Sequence, residues 1–386
     1  MGEWWWAGFR EAQAIDGRVL RLLALLAPRR PRPAEHEGAH RIVPSKLARA
    51  TVVIPCYNYG RFLSAAVESA LGQCGVDVEV IIVDDRSTDD SREVAARLVD
   101  RHPQVRIILN ETNVGHVESF NAGWRASTGE FVVKLDADDL LTPDSLSRAV
   151  ALFEAHPSVG LVYGHPRHFS TTEPPRPRAS NVRWTVWKGM DWLEERCRLG
   201  VSAITNPEMV VRSSLLHASG GMNPAVDFAP DMEISLRVAA LSDIGYIGGA
   251  DQALHREHPG SMSRNDGSGM LVDLDARRSA FTHALSFVAS EAGRARLAAL
   301  ADRALAEDAL RLASAMADRN RAGVDFPRLL SFARTVCPTS TGWPDYRRLT
   351  RSTVPGGSGG VRPLLRRARR RWRQETYFTR WMVSGV

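Results

Sequence analysis

Residues 129–139 read Gly-Glu-Phe-Val-Val-Lys-Leu-Asp-Ala-Asp-Asp, and this stretch decides the fold prediction. The largely apolar run at 131–135 fits a short buried strand, and three carboxylates follow it within four positions. Thr142, Pro143 and Asp144 then predict the start of a helix, with Thr142 as its cap. A strand that ends in charged residues before a helix is typical of a parallel sheet, whose ligands bind beyond the carboxyl ends of its strands.

The same alternation of strand and helix continues on both sides of this stretch. Strands are predicted at 51–55, 78–83, 105–109, 131–135, 159–163 and 244–247. Helices are predicted at 62–71, from the 87–90 cap to 99, at 117–126, after 142, and at 231–241. We therefore predict an α/β fold with a mostly parallel sheet flanked by helices.

Composition divides the chain further. Residues 1–50 form an N-terminal extension with a short basic helix candidate at 18–30 and a Pro-rich linker. Residues 266–353 are predicted to form a helical C-terminal region, because Ala and Leu are frequent there. Residues 354–386 contain a Gly-rich linker and an Arg-rich terminal helix.

The positive charge lies mainly at the carboxyl end. The formal net charge is +6, and residues 361–386 hold eight arginines and one glutamate, so the rest of the chain is nearly neutral. A nearly neutral body argues against an Arg-rich RNA-binding protein, and we expect no nucleic-acid partner. Two interpretations of 362–373 stay open: a helix on an anionic membrane surface, or a basic tail that is solvated or packed on its own body.

Cysteine spacing and hydropathy indicate in which cellular compartment the protein is expected. The four cysteines lack the spacing of a zinc site or a disulfide framework. The apolar run at 22–27 is too short to span a membrane, and the first residues lack the basic start of a secretory signal. We expect a cytoplasmic protein, with peripheral contact at the inner membrane face through 361–386 as an open alternative.

The carboxylates Asp136, Asp138 and Asp139 form the first candidate site. Three like charges at a strand end repel one another unless a hard divalent cation such as Mg²⁺ or Mn²⁺ neutralises them. These ions commonly bind one or two carboxylates together with substrate phosphates. The alternative is a solvated acidic turn, but the strand before it and the helix after it favour a site.

Two other strand ends carry groups that suit a nucleotide. Asp84 and Asp85 close the second strand. A carboxylate there can accept a hydrogen bond from an imide N–H, such as that of uracil. The alternative role is to cap the next helix. Tyr57, after the first strand, can stack on a planar base, and Asn58 can serve a turn or a ligand.

Taken together, four ordered segments resemble the motifs of family 2 glycosyltransferases, which have the nucleotide-sugar transferase fold of the A type (GT-A). The segments are 53–58, 82–89, 113–115 and 129–139. The resemblance covers roughly residues 51–265. It implies a Rossmann-like nucleotide-binding half at 51–163 and an acceptor half at 164–265.

The resemblance also implies roles for the matching residues. It implies a nucleotide pocket lined by Pro55, Tyr57, Asn58, Asp84, Asp85, Gly115 and Asp136. Asp85, or its neighbour Asp84, would read the base, and Asp136 would face the ribose. Asp138 would hold the metal on the diphosphate, and Asp139 would support that loop.

Asp231 and His258 complete the implied site. Asp231 matches the catalytic base of the family, with Glu233 and Arg237 as supporting residues on the same helix. Two positions depart from the family pattern: Pro230 and Ser235. His258 is implied to ligate the metal or bind phosphate.

These residues predict an inverting glycosyltransferase of the kind used in polysaccharide biosynthesis. It would move a sugar from a nucleoside-diphosphate sugar, UDP being the commonest choice, to the hydroxyl of a glycan, lipid-linked or small-molecule acceptor. Asp231 would take the acceptor proton, and a metal on Asp138 would neutralise the leaving diphosphate. The alternative is a non-catalytic nucleotide-sugar-binding protein or partner subunit, against which the presence of both Asp138 and Asp231 argues.

Overall fold

The computed structural model describes residues 35–38, 44–202, 204–226, 228–260, 269–318 and 323–351, together with 377, 380, 381 and 384–386. The predicted helices at 18–30 and 362–373 lie outside these residues. None of the helices in the described ranges is both long and apolar enough to cross a membrane.

A ten-stranded sheet lies at the centre of the protein. Its strands are β1 (Glu35–Gly38), β2 (Ala48–Cys56), β3 (Val76–Asp84), β4 (Val105–Leu109), β5 (Phe131–Lys134), β6 (Leu140–Leu141), β7 (Val159–Phe169), β8 (Ala179–Trp187), β9 (Val210–Arg212) and β10 (Asp243–Arg256). Their order across the sheet is β1-β8-β10-β7-β9-β5-β2-β3-β4, and β6 pairs with β10. Strands β2, β3, β4, β5, β7 and β10 run in one direction, and β6, β8 and β9 oppose them. The predicted, mostly parallel sheet is confirmed.

Eleven helices, counted over the described residues, flank this sheet. They are α1 (Gly60–Leu71), α2 (Ser91–Arg101), α3 (His116–Arg125), α4 (Ser145–Ala155), α5 (Gly189–Leu199), α6 (Ser213–Ser219), α7 (Pro230–Leu241), α8 (Met270–Leu285), α9 (Glu291–Asp318), α10 (Asp325–Val336) and α11 (Pro344–Arg351). A 3₁₀ turn, Pro338–Gly342, precedes α11. The predicted α/β class with a helical C-terminal region is therefore confirmed.

The strands divide the interior into two cores because successive side chains of a strand point to opposite faces. On β2, Val53 belongs to one core and Val52 and Ile54 belong to the other. All three are buried, as expected for a strand covered by helices on both faces.

The C-terminal helices share a core with the second half of the sheet. Phe281 of α8, Leu305 of α9 and Leu329 of α10 lie in the same apolar cluster as Trp192 of α5 and Leu236 of α7. This cluster fastens α8 to α10 against the helices that border the candidate site.

The predicted start of α4 at Thr142 is wrong, because α4 begins at Ser145. Thr142 instead donates its hydroxyl to the carbonyl oxygen of Asp251 at 2.6 Å, just after β6 has paired with β10. Asp144 then takes a left-handed conformation with φ 61°. The helix therefore begins two residues later than its predicted first position, Pro143, and this tertiary pairing cannot be read from local capping signals.

Trp192 gives a direct test of the shared core. It is fully buried, and its indole N–H donates to the Tyr163 hydroxyl at 3.2 Å. Trp192→Ala should lower the free energy of unfolding by about 3–5 kcal/mol, because it leaves a large cavity. Met190→Ala on the same helix is the control: its side chain is 40% exposed, and we expect a change within about 0.5 kcal/mol. Equal denaturation midpoints for the two variants would contradict this packing.

Candidate active site

The carboxyl ends of β5, β2 and β3 meet at one edge of the sheet, because these neighbouring strands are parallel. That edge therefore gathers the acidic loop 136–139, the turn at 57–59 and the pair 84–85. A ligand that bridges these loops would lie where parallel sheets commonly bind nucleotides.

Asn58 serves the turn that follows β2. Its side-chain oxygen accepts hydrogen bonds from the backbone N–H groups of Thr88, at 2.7 Å, and Asp89, at 3.3 Å. Asn58 has φ 60°, a conformation that asparagine tolerates better than most residues. Beside it, the Tyr57 ring is 44% exposed, and Pro55 lies inside β2 opposite Val83.

Asp85 orders the loop that leads into α3. One carboxylate oxygen accepts hydrogen bonds from the Asn110 amide, at 2.9 Å, and from the backbone N–H of Val114, at 2.8 Å. The other oxygen accepts from the backbone N–H of Gly115, at 2.8 Å, and Gly115 has φ 87°. The side chain predicted to read a base therefore also fixes the 110–115 loop.

Asp84 faces the other way from this loop. Its Oδ2 accepts a hydrogen bond from Arg92 Nε at 2.7 Å and another from the backbone N–H of Ser87 at 3.2 Å. Its Oδ1 is buried and has no hydrogen-bond partner among the described residues. The two neighbouring carboxylates thus brace two different loops of one pocket.

Asp136 is held from two sides. Its Oδ1 forms an ion pair with Lys134, and its Oδ2 accepts a hydrogen bond from the Asn206 amide at 3.5 Å. Burial by itself would raise the pKa of Asp136, but Lys134, with smaller contributions from His116 and His255, outweighs burial and holds the pKa below its usual range.

Asp138 lies against the imidazole of His258. Their Oδ2 and Nε2 atoms are 3.0 Å apart, and the other ring nitrogen of His258 accepts from the backbone N–H of Gly260 at 3.1 Å. Burial and the nearby carboxylates Asp139 and Asp136 raise the pKa of Asp138 to about 7. Burial lowers the pKa of His258, and Arg61 and Arg256 lower it further, so this imidazole is neutral near pH 7.

Asp139 is fully buried beneath the loop and is fixed by β10. It accepts hydrogen bonds from the backbone N–H of Arg256 at 2.8 Å and from His255 Nδ1 at 3.0 Å. Burial alone would lower the pKa of His255, but Asp139, Asp138 and Glu208 outweigh burial and raise that pKa to about 10. A protonated His255 therefore neutralises one of the carboxylates.

Asp231 comes from the amino-terminal end of α7. Its Oδ1 accepts the backbone N–H of Met232 at 2.8 Å, and no described residue donates a hydrogen bond to its Oδ2. Burial raises its pKa, and the charges of Lys134 and Asp136 also act on it. Asp231 therefore lies on the same side of the protein as the β5 loop, although the two are far apart in sequence.

Glu233 and Arg237 lock α7 in place from the buried side. They form a buried ion pair at 2.8 Å, and Arg237 also donates to the carbonyl oxygens of Ser219, Gly220 and Gly221. Nδ1 of His283, from α8, lies 2.7 Å from Oε1 of Glu233, the oxygen that Nε of Arg237 also contacts. These bonds fix the helix that carries Asp231, which agrees with the supporting role implied for them.

The donor set suits a hard divalent cation. No three His, Cys, Asp or Glu side chains form a metal-binding cluster within the described part of the chain. A cation would therefore be held by Asp138 together with phosphate oxygens of a nucleotide, a coordination that Mg²⁺ commonly adopts. His258 could join it only if the ion replaced the contact between His258 and Asp138.

Sequence reasoning missed several polar groups of the site. Asn206 and Glu208 come from the loop between α5 and β9, which shows no periodic pattern. Lys134 lies within the quoted motif, and a lysine inside a buried strand was the available signal. Arg61 follows the turn at 57–59 and contributes positive charge near His258.

Glu208 offers a test through the pH dependence of stability. It is buried, and both its oxygens accept hydrogen bonds from Thr205 at 2.6 Å. Burial raises its pKa from 4.5 to about 8. The folded state therefore holds this proton more tightly than the unfolded state, and the stability that it contributes is lost as pH rises towards about 8.

We expect Glu208→Gln to remove this loss. Thermal melting between about pH 6 and about pH 9 should show the wild type losing stability relative to the variant by up to a few kcal/mol, since one pKa unit is worth about 1.4 kcal/mol. Glu111→Gln, at an exposed residue, should follow the wild type. Parallel melting curves for wild type and Glu208→Gln at every pH would contradict the shifted pKa.

The sequence of this chain is similar to those of known glycosyltransferases. The glycosyl transferase family 2 model matches residues 51–207. An uncharacterized glycosyltransferase of Nostoc sp. is 43% identical over 115 residues, which are 30% of this chain and 36% of the relative. The chondroitin synthase of Pasteurella multocida is 29% identical over 214 residues, which are 55% of this chain and 20% of the relative. The chain thus spans well under half the length of these curated relatives.

Solved structures support the fold at low sequence identity. Residues 1–349 of S. aureus TarS, in complex with UDP-GlcNAc, match with a TM-score of 0.55 and 16% identity, over 87% of this chain and 92% of that one. The GT-A expectation for the fold is confirmed by this likeness. The predicted resemblance to family 2 glycosyltransferases is confirmed for residues 51–207, which match the model of that family.

Proposed function

We propose that the protein is an inverting glycosyltransferase that moves a sugar from a nucleoside-diphosphate sugar to an acceptor hydroxyl. The observation that carries the proposal is the convergence of Asp231 with the β5 loop, since the charges of Lys134 and Asp136 act on Asp231. A carboxylate beside a nucleotide pocket is what the activation of a hydroxyl requires.

The donor proposed is a UDP-sugar. The S. aureus TarS structure that shares the fold is in complex with UDP-GlcNAc, which supports this choice of nucleotide. In this chain Tyr57 would stack on the base, Asp84 or Asp85 would read it, and Asp136 would face the ribose. The names of the curated relatives, chondroitin and hyaluronan synthases among them, support a role in making a polysaccharide.

The proposed reaction is a single displacement. The acceptor oxygen forms a bond to the anomeric carbon while the bond from that carbon to the diphosphate breaks, and the diphosphate leaves with the electron pair. Asp231 takes the proton of the acceptor hydroxyl on its Oδ2. Because base and leaving group lie on opposite faces of the sugar, the configuration at the anomeric carbon inverts.

The remaining residues handle the charge of the diphosphate. A divalent cation on Asp138 and the donor phosphates would neutralise the charge that grows on the leaving group. Asp139 is held by Arg256 and His255, so the loop that carries Asp138 is fixed before the donor binds. The guanidinium of Arg256 lies over the rings of Phe62 and Phe169, at 4.8 and 4.5 Å, which holds it beside this loop.

Asp231→Asn tests the base. The variant should still bind donor, because Asp231 is proposed to touch the acceptor, but its transfer rate should fall at least about a hundredfold, the usual effect of removing a general base. Transfer is measured by release of the nucleoside diphosphate from a panel of UDP-, dTDP- and GDP-sugars with Mn²⁺. Asp275→Asn makes the same chemical change at an exposed residue of α8 and should match the wild type.

Near-normal turnover by Asp231→Asn would exclude this residue as the base. If the wild type binds nucleotide sugars but neither transfers nor hydrolyses any of them, the proposal of an enzyme fails, and the non-catalytic binding protein is favoured.

Asp138→Ala tests the metal role. We expect UDP to bind the wild type at least about tenfold more tightly with Mn²⁺ than with a chelator, and we expect the variant to lose this difference, because a carboxylate ligand of the ion is gone. Calorimetry gives both affinities. Asp100→Ala, at an exposed residue of α2, should keep the wild-type difference. A metal effect that persists in Asp138→Ala would show that the ion binds elsewhere.

A further inference from the structure

Lys134 is a buried cation at the centre of the site. Its side chain is only 2% exposed, and its ammonium pairs with Asp136. Lysine is almost never fully buried unless it is paired, because removing an ammonium from water is costly. The burial of a lysine inside the strand that carries the acidic loop therefore points to a specific role for its charge.

The alternation of β5 shows which way Lys134 points. Val133 and Leu135 face the core that lies against α1 and α4, whereas Val132 belongs to the core that contains Ala229 and Met232. Lys134 shares the face of Val132. Lys134 therefore lies on the face of the sheet on which α7 packs, which agrees with the action of its charge on Asp231.

Asp136 is held chiefly by this lysine. The second contact, from the neutral Asn206 amide, is longer at 3.5 Å and brings no opposite charge to the carboxylate. The Lys134 contact joins two opposite charges and is shorter, which makes it the stronger of the two. The placement of the Asp136 carboxylate therefore depends on Lys134 more than on Asn206.

We propose that Lys134 is a positioning residue shared by the two halves of the site: it fixes the Asp136 carboxylate for the donor and places a positive charge beside Asp231. The inference rests on the proposed function and adds to it a residue that acts through two others. Because the ammonium is built into the sheet, this part of the site is organised before donor or metal binds.

Three titratable side chains on the helices that pack against α7 make their contacts elsewhere. His283, from α8, contacts Glu233. The guanidinium of Arg196, from α5, lies over the Trp192 ring, and His217, from α6, packs on Trp124. Among the described residues, Lys134 is the cation whose charge acts most on Asp231, and Asp136 is the main opposing charge.

Nucleotide binding tests, without relying on turnover, whether Lys134 fixes Asp136 for the donor. The probe is UDP with Mn²⁺, or dTDP or GDP if one of these binds the wild type more tightly, measured by calorimetry. Lys134→Met should weaken binding about tenfold, because Asp136 loses its charged partner. Lys134→Arg, which keeps the charge, should restore most of the affinity. Lys188→Met, which removes an exposed lysine paired with Asp243, is the control for the same chemical change and should leave UDP binding unchanged.

The pH dependence of the transfer rate tests whether the Lys134 charge acts on Asp231. The Lys134 charge lowers the pKa of Asp231, and burial raises it. Without that charge the pKa of Asp231 should rise, so the acid limb of the pH–rate profile should shift to higher pH by about one unit. Lys134→Arg, which keeps the positive charge, should leave the acid limb at its wild-type position. A merely structural role would lower the rate at every pH and leave the limb in place.

Lys134→Met removes the buried partner of the Asp136 ion pair and can therefore fail to fold. In that case Lys134→Met/Asp136→Asn is compared with Asp136→Asn alone in UDP binding. If Lys134 acts on the donor only through Asp136, the double variant and Asp136→Asn should bind UDP with equal affinity, because the loss of Lys134 removes no further interaction once Asp136 is neutral. Weaker binding by the double variant would overturn the inference.

Two outcomes separate this inference from the proposed function. If the wild type binds nucleotide and Lys134→Met folds, binds equally well and keeps the same acid limb, only the role of Lys134 is overturned. If the wild type binds none of the three nucleoside diphosphates, the proposed function fails, and this inference fails with it.

Discussion

Repulsion among the carboxylates at the end of β5 is the constraint on which the site depends. Asp136, Asp138 and Asp139 occupy three of four consecutive positions, and each has a different environment. Asp136 pairs with the buried Lys134, and Asp139 is neutralised by a protonated His255. The Asp138 carboxylate contacts the neutral imidazole of His258, and burial together with Asp139 and Asp136 raises its pKa to about 7. The protein thus supplies cations for two carboxylates and leaves the third suited to a metal ion that arrives with the donor.

The fold brings these groups together from distant parts of the chain. Parallel strands place the loops after β2, β3 and β5 at one edge, and β10 contributes His255 from the far side of β7. Asp231 reaches the same region on α7, which is fixed by the buried Glu233–Arg237 pair. A buried ion pair is costly unless its remaining donors are satisfied, and here Arg237 also donates to three carbonyl oxygens. Because His283 of α8 contacts Glu233, the C-terminal helices help to position Asp231.

The sequence predicted the first half of the sheet well, for a simple physical reason. β2, β3 and β5 are short apolar runs bounded by turn residues and charges, so their ends were placed within a few residues. β10 was predicted at 244–247 but extends over Asp243–Arg256, because polar residues in its second half pair with β7 and β6. The same pairing displaced the start of α4. Such long-range contacts leave no local pattern.

Parts of the site were predictable to the same degree. Asp136, Asp138 and Asp231 stand out by residue type and position, so the sequence alone is enough to predict them as site residues. The bracing roles of Asn58 and Asp85 could not be, because their partners lie about 30 residues away in loops. Asn206 and Glu208 reach the site from a loop without periodicity, and only the tertiary fold shows that they lie near Asp136 and His255.

The central claim is that one pocket holds the nucleotide, the metal and the base. A crystal structure with UDP and Mn²⁺ measures this most directly. The account predicts an ion about 2.2 Å from an Asp138 oxygen, in contact with the diphosphate. It also predicts that Asp136 contacts the ribose, and that Asp231 faces the position of the missing sugar. A nucleotide bound away from Asp136 and Asp138, or an Asp231 carboxylate directed away from the β-phosphate, would contradict it.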